Sequence, residues 1–293
     1  MSSTADILTT FGSVMFADNV PKQDECAVAS IRRAGAIVVG KTNTPEFGAG
    51  GNTRNAVFGP TGNPYDPVLT SGGSSGGSAV VLATGMVPLA SGSDFGGSLR
   101  TPSAFCGVVG FRPSPGVIPD ETKVTGLSPF AVDGPMARNV TDAHLLLGAM
   151  AGHGLDDPFS GLLDPGLLKP LTPADLGATR VAFSSDLGIA AVDPANRSSF
   201  ADRVARLWPH FAHAAEAQPN LSGVHEVFET LRALFMVGGY GHYLKHSPDR
   251  LGPNMRDNTT RGMALGWSRS RRPLPGRPGS TATSIISSMT STC

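Results

Sequence analysis

The chain has 293 residues, 40% of them apolar, and its 23 Lys and Arg residues equal its 23 Asp and Glu residues in number. This length supports a large globular core, and the charge balance gives no general basis for binding nucleic acid or an anionic membrane. Three widely spaced cysteines, Cys26, Cys106 and Cys293, argue against a disulfide framework and against a C-x-x-C metal site. Without a membrane-length apolar run or signal-peptide pattern, the sequence predicts a cytoplasmic protein that acts on small molecules.

Helices and strands alternate in the predictions for the first half of the chain. A helix is predicted over 24–34 and ends at Gly35, and the apolar run 36–39 predicts a buried strand. Gly-Pro and Asn-Pro pairs predict a long ordered loop over 52–66. The next predicted elements are a short helix, a strand and a short apolar element, at 76–84, 86–90 and 108–111.

The second half continues the alternation. Thr141 is predicted to cap a helix that runs to Gly152, and 179–183 reads as a strand. Two longer helices are predicted over 196–217, with a kink or break at Pro209, and over 223–244. These alternating elements predict an α/β fold with a mixed β-sheet core covered by helices.

The carboxy-terminal tail differs in composition from the rest of the chain. Residues 267–293 lack apolar periodicity and are rich in Arg, Pro, Ser and Thr, which separates them from a predicted domain over 1–266. Two explanations stand: a disordered tail, or a shift of reading frame near Gly266.

The segment "SGGSSGGSAVVLATGMVPLASGSDFGGSLRTPSAFCG", residues 71–107, is dense in small residues. A flexible linker would carry fewer apolar residues, and a phosphate loop would show a G-K-[ST] or G-x-G-x-x-G pattern. Glycines at 72–73 and 96–97 permit close backbone approach, so that N–H groups can converge on an oxyanion. The segment is therefore interpreted as part of a hydrolytic site.

One hydrolytic interpretation places the nucleophile at Ser75. Residues 73–77 satisfy G-x-S-x-G, the pattern of the α/β-hydrolase nucleophile. The preceding residues 66–70 make a poor strand for that turn, and nothing in the sequence distinguishes a catalytic base among the histidines, which are His144, His153, His210, His213, His225, His242 and His246.

A second interpretation rests on longer motifs. The run "GGSSGGSAVVLATGMVPLASGSDFGGSLRTPSAFCGVVGFRPSPGVIP", with "GKTNTPEFG" before it and "GPMARNVTDA" after it, resembles the amidase signature family over residues 9–150 and more loosely to Gly266. The resemblance implies an amidase with a Ser-Ser-Lys triad and no cofactor or metal. It makes Ser98 the nucleophile and Ser74 the bridging serine, held by a cis peptide.

The resemblance also assigns roles to the neighbouring residues. It implies that the N–H groups of Phe95, Gly96, Gly97 and Ser98 form the oxyanion hole. We expect Asp94 and Arg100 to brace this turn by hydrogen bonds and charge pairing, and Ser75 to support it by hydrogen bonding. Cys106 is expected in the core, and Lys41 is expected to be structural.

The family's catalytic lysine has no counterpart in the printed sequence. In the family this lysine lies upstream of a turn that corresponds here to residues 9–13. Counting back from Thr9 reaches Met1 before the position of that lysine, and no lysine precedes Lys22. The sequence therefore predicts an incomplete member, truncated at both ends, that hydrolyses a small carboxamide or aryl amide. This hypothesis includes a relationship to the amide-hydrolysing subunit of the tRNA-dependent amidotransferases. The alternatives are a catalytically silent fragment and a chain whose missing segment is supplied by a separate chain. A homo-oligomer is compatible with each of these hypotheses.

Overall fold

The computed structural model describes residues 2–124 and 127–265, which form two compact units. The first unit comprises Met1–Pro170 and Ala233–Ala264, and the second is built on Leu171–Arg232. The tail predicted over 267–293 and the boundary at Gly266 lie outside the described residues.

The first unit alternates helices and strands, as the α/β class requires. Its helices are α1 (Cys26–Arg33), α2 (Gly76–Ala83), α3 (Arg100–Cys106), α4 (Val140–Met150) and α7 (Pro253–Met263). Its strands are β1 (Arg54–Asn55), β2 (Gly59–Pro60), β3 (Leu89–Asp94), β4 (Val109–Gly110) and β5 (Val132–Ala137). The second unit contains β6 (Arg180–Phe183), α5 (Pro194–Leu207) and β7 (His213–Glu216), and α6 (Val224–His246) begins in it.

A three-stranded antiparallel sheet in the order β3-β5-β4 lies at the centre of the first unit. Strand β5 pairs with β3 from Leu89↔Ala137 to Asp94↔Val132. The sequence analysis missed β5, because Gly134 and Pro135 disfavour a strand interior. The carbonyl of Pro135 nevertheless accepts the N–H of Phe111 at 3.1 Å, so the proline still contributes to pairing.

Three apolar clusters stabilise the first unit. The first joins α2 and α3 to the central sheet, and it contains Ala79, Leu82, Leu99, Cys106 and Met136. The second lies between α1 and α4, with Ala27, Ile118, Leu146, Leu147 and Met150 buried. The third contains Phe47, Ala49, Met236, Tyr240, Leu251 and Met255. The expectation that Cys106 packs in the core is confirmed.

The α/β class is confirmed, with helices packed on sheets. The described strands form three separate sheets, of which two are antiparallel and the β6–β7 pair is parallel. Helices predicted at 24–34, 76–84 and 223–244 match α1, α2 and α6.

The apolar run at 36–39 is not a buried strand, contrary to the prediction. It pairs with no strand among the described residues, and Ile37 and Val39 are 87% and 77% exposed. A short apolar run becomes a strand only where a partner strand satisfies its backbone groups, and the sequence alone does not identify that partner.

The predicted helix at 196–217 is also wrong in its second half. Helix α5 ends at Leu207, a 3-10 turn covers Trp208–His210, and His213–Glu216 pairs in parallel with β6. The break that was one of the two outcomes predicted at Pro209 is observed, because this residue lacks the N–H that a continuing helix needs.

Two predicted boundaries shift in the structure. The strand expected at 86–90 begins at Leu89 and continues to Asp94. The cap of α4 is Asn139 instead of Thr141, since the Asn139 side chain accepts the N–H of Asp142 at 2.8 Å. Both residue types are good caps, and the backbone conformation before Val140 decides between them.

Candidate active site

The glycine-rich segment is packed, and it is not a linker. Every residue from Ser71 to Ala79 is buried. A Cβ atom at Gly73 would lie 2.9 Å from the backbone nitrogen of Asn52, and one at Gly77 would lie 2.5 Å from that of Asn43. These glycines allow the neighbouring backbone to approach closely, as the hydrolytic interpretation requires.

Ser74 lies in a buried loop formed by Ser71–Ser75, which we call the Ser74 loop. The Gly73–Ser74 peptide bond is cis, as the resemblance implied. Thr53 Oγ1 lies 2.8 Å from the carbonyl oxygen of Gly72 and 3.3 Å from that of Ser74, and it accepts the N–H of Gly76 at 3.1 Å. The sequence analysis missed Thr53, because no motif marks a residue that reaches this loop through the fold.

Ser98 lies in a second turn, formed by Phe95–Leu99 between β3 and α3, which we call the Ser98 turn. The carboxylate of Asp94 is 0% exposed and accepts the N–H groups of Gly97 at 2.7 Å and Leu99 at 3.2 Å. Arg100 donates to the same carboxylate from Nε at 3.0 Å and from Nη2 at 3.1 Å. These are the hydrogen bonds and the charge pairing that the sequence analysis assigned to Asp94 and Arg100.

The pKa of Asp94 reflects two opposing effects. Burial raises the pKa of this carboxyl, but hydrogen bonds from Arg100 and Gly97, with the charges of Arg100 and Arg112, outweigh burial. The net result is a pKa below the ordinary value for aspartate, so the carboxylate stays ionised at neutral pH.

The Ser74 loop and the Ser98 turn are in direct contact. The N–H of Ser75 donates to the carbonyl oxygen of Ser98 at 3.2 Å. The Ser75 side chain faces β3, where its Oγ accepts the N–H of Ser93 at 3.3 Å. A Cβ at Gly92 would lie 2.5 Å from Ser75 Oγ, so this approach also depends on a glycine. The fold thus brings the loops of Ser74 and Ser98 together and engages the Ser75 hydroxyl with backbone.

One member of the predicted oxyanion hole is already engaged. The N–H of Gly97 points at Asp94 Oδ1 at 2.7 Å, so it does not serve as a donor to an external oxygen in this conformation. The oxyanion-hole role of Gly97 stays a prediction, and it requires this N–H to leave Asp94. A charged carboxylate is a strong acceptor, and it holds the nearest N–H of the turn.

Other candidate bases lie in different surroundings. Lys41 Nζ donates to the carbonyl oxygen of Ser2 and to Thr4 Oγ1, and burial lowers the pKa of its ammonium group. His144 contacts the carbonyl oxygen of Leu167 at 3.0 Å. Among the hydrogen bonds within 2–124 and 127–265, none joins a lysine or histidine side chain to Ser74, Ser75 or Ser98.

Residues 2–124 and 127–265 contain no group of three or more His, Cys, Asp and Glu side chains arranged to hold a metal ion. Within the same ranges, no helix combines the length and hydropathy that crossing a bilayer needs. A cavity of about 770 Å³ lies in the second unit beside the Asp186–Arg197 ion pair, and none of the predicted site residues lines it.

The α/β fold joins a cis-serine loop to a Gly-Gly-Ser turn, which is the arrangement that the resemblance to the amidase signature family implied. Comparison with known proteins supports membership of this family. The Amidase family profile matches residues 2–246, and the chain belongs to the amidase signature family.

Two relatives of different kinds are similar to this chain. The chain is 44% identical over 188 residues to a glutamyl-tRNA(Gln) amidotransferase subunit of Thermus thermophilus, covering 63% of this chain and 40% of the relative. It is 41% identical over 212 residues to an acylamidase of Rhodococcus erythropolis, covering 72% of this chain and 44% of the relative. The chain thus spans less than half the length of these two relatives.

Solved structures agree with the fold. A bacterial aryl acylamidase of the amidase signature family superimposes with a TM-score of 0.83 at 22% identity, covering 92% of this chain and 58% of the other. A crystal structure described as an amidase gives a TM-score of 0.76 at 30% identity with the same coverage.

Proposed function

We propose that this chain carries the serine site of an amidase that hydrolyses the C–N bond of a carboxamide, with Ser98 as nucleophile and Ser74 as bridging serine. The observation that supports it most is the contact between the cis-serine loop and the Ser98 turn, through the Ser75 N–H and the Ser98 carbonyl. A serine hydroxyl needs a neighbouring group to remove its proton. The resemblance to the family assigns the relay of that proton to Ser74.

The proposed reaction has two stages. Ser98 Oγ attacks the amide carbonyl carbon while its proton passes to Ser74 Oγ, whose own proton passes to a neutral amine base. The N–H groups of Gly96 and Ser98 are the proposed donors to the tetrahedral oxyanion, and Phe95 stays a predicted third donor. The C–N bond then breaks as the leaving nitrogen takes a proton from the relay, and water hydrolyses the resulting ester on Ser98.

In this proposal the base of the relay is the family's catalytic lysine, which has no counterpart in the printed sequence. The contacts of Lys41 support this, since its ammonium donates to Ser2 and Thr4. General base assistance contributes about 10² to 10⁴ in rate, so we expect the 293-residue polypeptide alone to be nearly inactive. A version extended upstream to include the family's catalytic lysine is expected to be active.

The proposed substrate is a small carboxamide or aryl amide, and we place the protein in the cytoplasm. The similarity to the Rhodococcus acylamidase supports a free amidase, whereas the similarity to an amidotransferase subunit supports a role that needs partner chains. We favour the free amidase, because the match to the acylamidase covers more of this chain. No nucleic-acid partner of its own is proposed, and a homo-oligomer is compatible with the site.

The test compares the 293-residue chain with the upstream-extended chain on a panel of simple amides and with a serine-reactive fluorophosphonate probe. Turnover and labelling are expected in the extended chain only, and Ser98→Ala is expected to abolish both. Ser75→Ala, the matched control, is expected to retain labelling. If Ser75→Ala abolishes labelling and Ser98→Ala does not, the α/β-hydrolase interpretation replaces this one.

Two further outcomes contradict parts of the proposal. Equal turnover by both chains, lost in Ser98→Ala, would mean that a residue within the 293-residue chain serves as the base, and Lys41→Met would then test the nearest candidate by type. An extended chain that folds but neither turns over nor reacts with the probe would favour the catalytically silent alternative.

A further inference from the structure

We propose that Arg112 is a positioning residue that fixes the Ser98 turn by tying it to the segment Pro129–Phe130. Nothing in the sequence motifs gave Arg112 a role. It follows β4, outside both serine loops. The catalytic meaning of this role rests on the proposed function, but the physical link between the two segments does not.

The contacts of the Arg112 guanidinium define this link. Its Nη1 donates to the backbone carbonyl oxygen of Asp94 and lies 3.2 Å from Asp94 Oδ1. The same nitrogen donates to the carbonyl oxygen of Phe130 at 2.9 Å, and Nη2 reaches that of Pro129 at 3.4 Å. One side chain therefore holds the residue that precedes the Ser98 turn and two carbonyls of a distant segment.

A second contact joins the same two segments. The rings of Phe95 and Phe130 lie 5.5 Å apart between centroids, and Phe95 also packs against Phe235 at 5.1 Å. Phe95 is the first residue of the Ser98 turn. Because Arg112 holds the backbone of Phe130 and the ring of Phe130 packs on Phe95, the position of the turn depends on this guanidinium by two routes.

Arg100 provides a matched comparison on the same carboxylate. Its side chain is 58% exposed and contacts Asp94 from the solvent side, whereas the side chain of Arg112 is 22% exposed and bridges two segments. Removing either arginine takes one positive charge from Asp94. Only removal of Arg112 also releases the carbonyls of Pro129 and Phe130, so the two variants separate positioning from charge.

Hydrogen–deuterium exchange of the 293-residue chain tests the link without relying on activity. We expect Arg112→Met to speed exchange about tenfold in peptides covering both 94–101 and 127–132, the change produced by losing about one charge-assisted hydrogen bond. Arg100→Met should speed exchange only in 94–101. The proposal is overturned if Arg112→Met leaves 127–132 unchanged.

A second variant covers the case in which Arg112→Met fails to fold by circular dichroism. Arg112→Lys keeps the charge but has one terminal nitrogen in place of the planar fork, so it lacks the second nitrogen through which Arg112 reaches Pro129. Faster exchange in 127–132 for this variant supports the proposal. Exchange equal to that of the unaltered chain contradicts it.

Kinetics of the upstream-extended chain separate this role from general stability. We expect Arg112→Ala to lower kcat about 100-fold with little change in KM, and free guanidinium ions at millimolar concentration to restore part of kcat. Loss of kcat without rescue, together with unchanged exchange, would overturn the assignment. If the extended chain has no activity at all, the proposed function fails and the exchange experiment still decides the link.

Discussion

Asp94 determines the local geometry of the Ser98 turn. Its carboxylate is inaccessible to solvent, yet two backbone N–H groups and two arginines satisfy it. A buried charge with this many donors is costly to disturb, because loss of the charge leaves the donors without their acceptor. Because the ionised carboxylate accepts the N–H groups of Gly97 and Leu99, it fixes the backbone on both sides of Ser98.

The lowered pKa of Asp94 predicts an acid-sensitive stability. Because its folded pKa lies below its unfolded pKa, the unfolded state binds more protons between the two values. The stabilisation is complete above the unfolded pKa, about 3.9, and is lost as pH falls through the folded pKa. We expect Asp94→Asn to lower the free energy of unfolding at pH 7 by about 3 kcal/mol and to flatten its decline below pH 5.

Urea denaturation between pH 3 and pH 7 measures this effect. Asp18→Asn changes an exposed carboxylate and serves as the control, with little expected change at any pH. An acid limb for Asp94→Asn as steep as that of the unaltered chain would contradict the assignment.

At the scale of elements, the residues at the start of helix α2 suit close packing against neighbouring segments better than they suit helix formation. It begins with two glycines, Gly76 and Gly77, which are poor helix formers. A Cβ at Gly76 would lie 2.3 Å from Thr53 Oγ1, and one at Gly77 would lie 2.5 Å from Asn43 backbone atoms. The two glycines therefore lower the helix propensity of the first turn, but they allow α2 to pack against the segments that contain Thr53 and Asn43.

Two glycine substitutions in helices are expected to have opposite signs. Gly77→Ala should destabilise the protein by about 2 kcal/mol or more, because its Cβ meets backbone atoms that cannot move aside cheaply. Gly148→Ala, in helix α4, meets only Leu168 Cδ2 at 3.7 Å and should stabilise by about 0.5 to 1 kcal/mol through helix propensity. Thermal unfolding of both variants measures the difference, and stabilisation by Gly77→Ala would show that the packing argument is wrong.

At the scale of the whole molecule, apolar surface is distributed unevenly. Ile37 and Val39 point to solvent, whereas Ile118 is buried in the cluster between α1 and α4. Exposed apolar side chains contribute little to folding but promote association. The same residue type therefore has different consequences at positions 37 and 118.

A pair of isoleucine substitutions tests this distribution. Ile37→Lys should change the free energy of unfolding of the 293-residue chain by less than about 0.5 kcal/mol and raise its solubility. Ile118→Lys should destabilise it by more than about 3 kcal/mol, because a charge enters an apolar cluster. Chemical denaturation and light scattering measure the two effects. Strong destabilisation by Ile37→Lys would mean that the run at 36–39 is buried after all, as the sequence pattern predicted.

The sequence predicted those parts of the fold whose signal is local. Helices α1, α2 and α6 follow from periodicity and stop signals, and the motif around Ser74 and Ser98 is continuous along the chain. Strand β5 was missed, because its Gly-Pro pair is tolerated only through cross-strand pairing with β3 and β4. The same limit explains β7, whose pairing with β6 overrode the helical pattern of its residues.

By itself the sequence determined the family, and it placed the two proposed catalytic serines and Asp94 in one continuous motif, since a motif depends on residue order alone. Only the tertiary structure decided which groups reach them. Thr53 contacts the Ser74 loop at Gly72 from 19 positions away, and Arg112 contacts Asp94, the residue before the Ser98 turn, from 18 positions away. The Gly97 N–H turns toward Asp94. Hydrogen bonds between residues distant in sequence depend on how the elements pack, and packing is a property of the folded chain that no local pattern records.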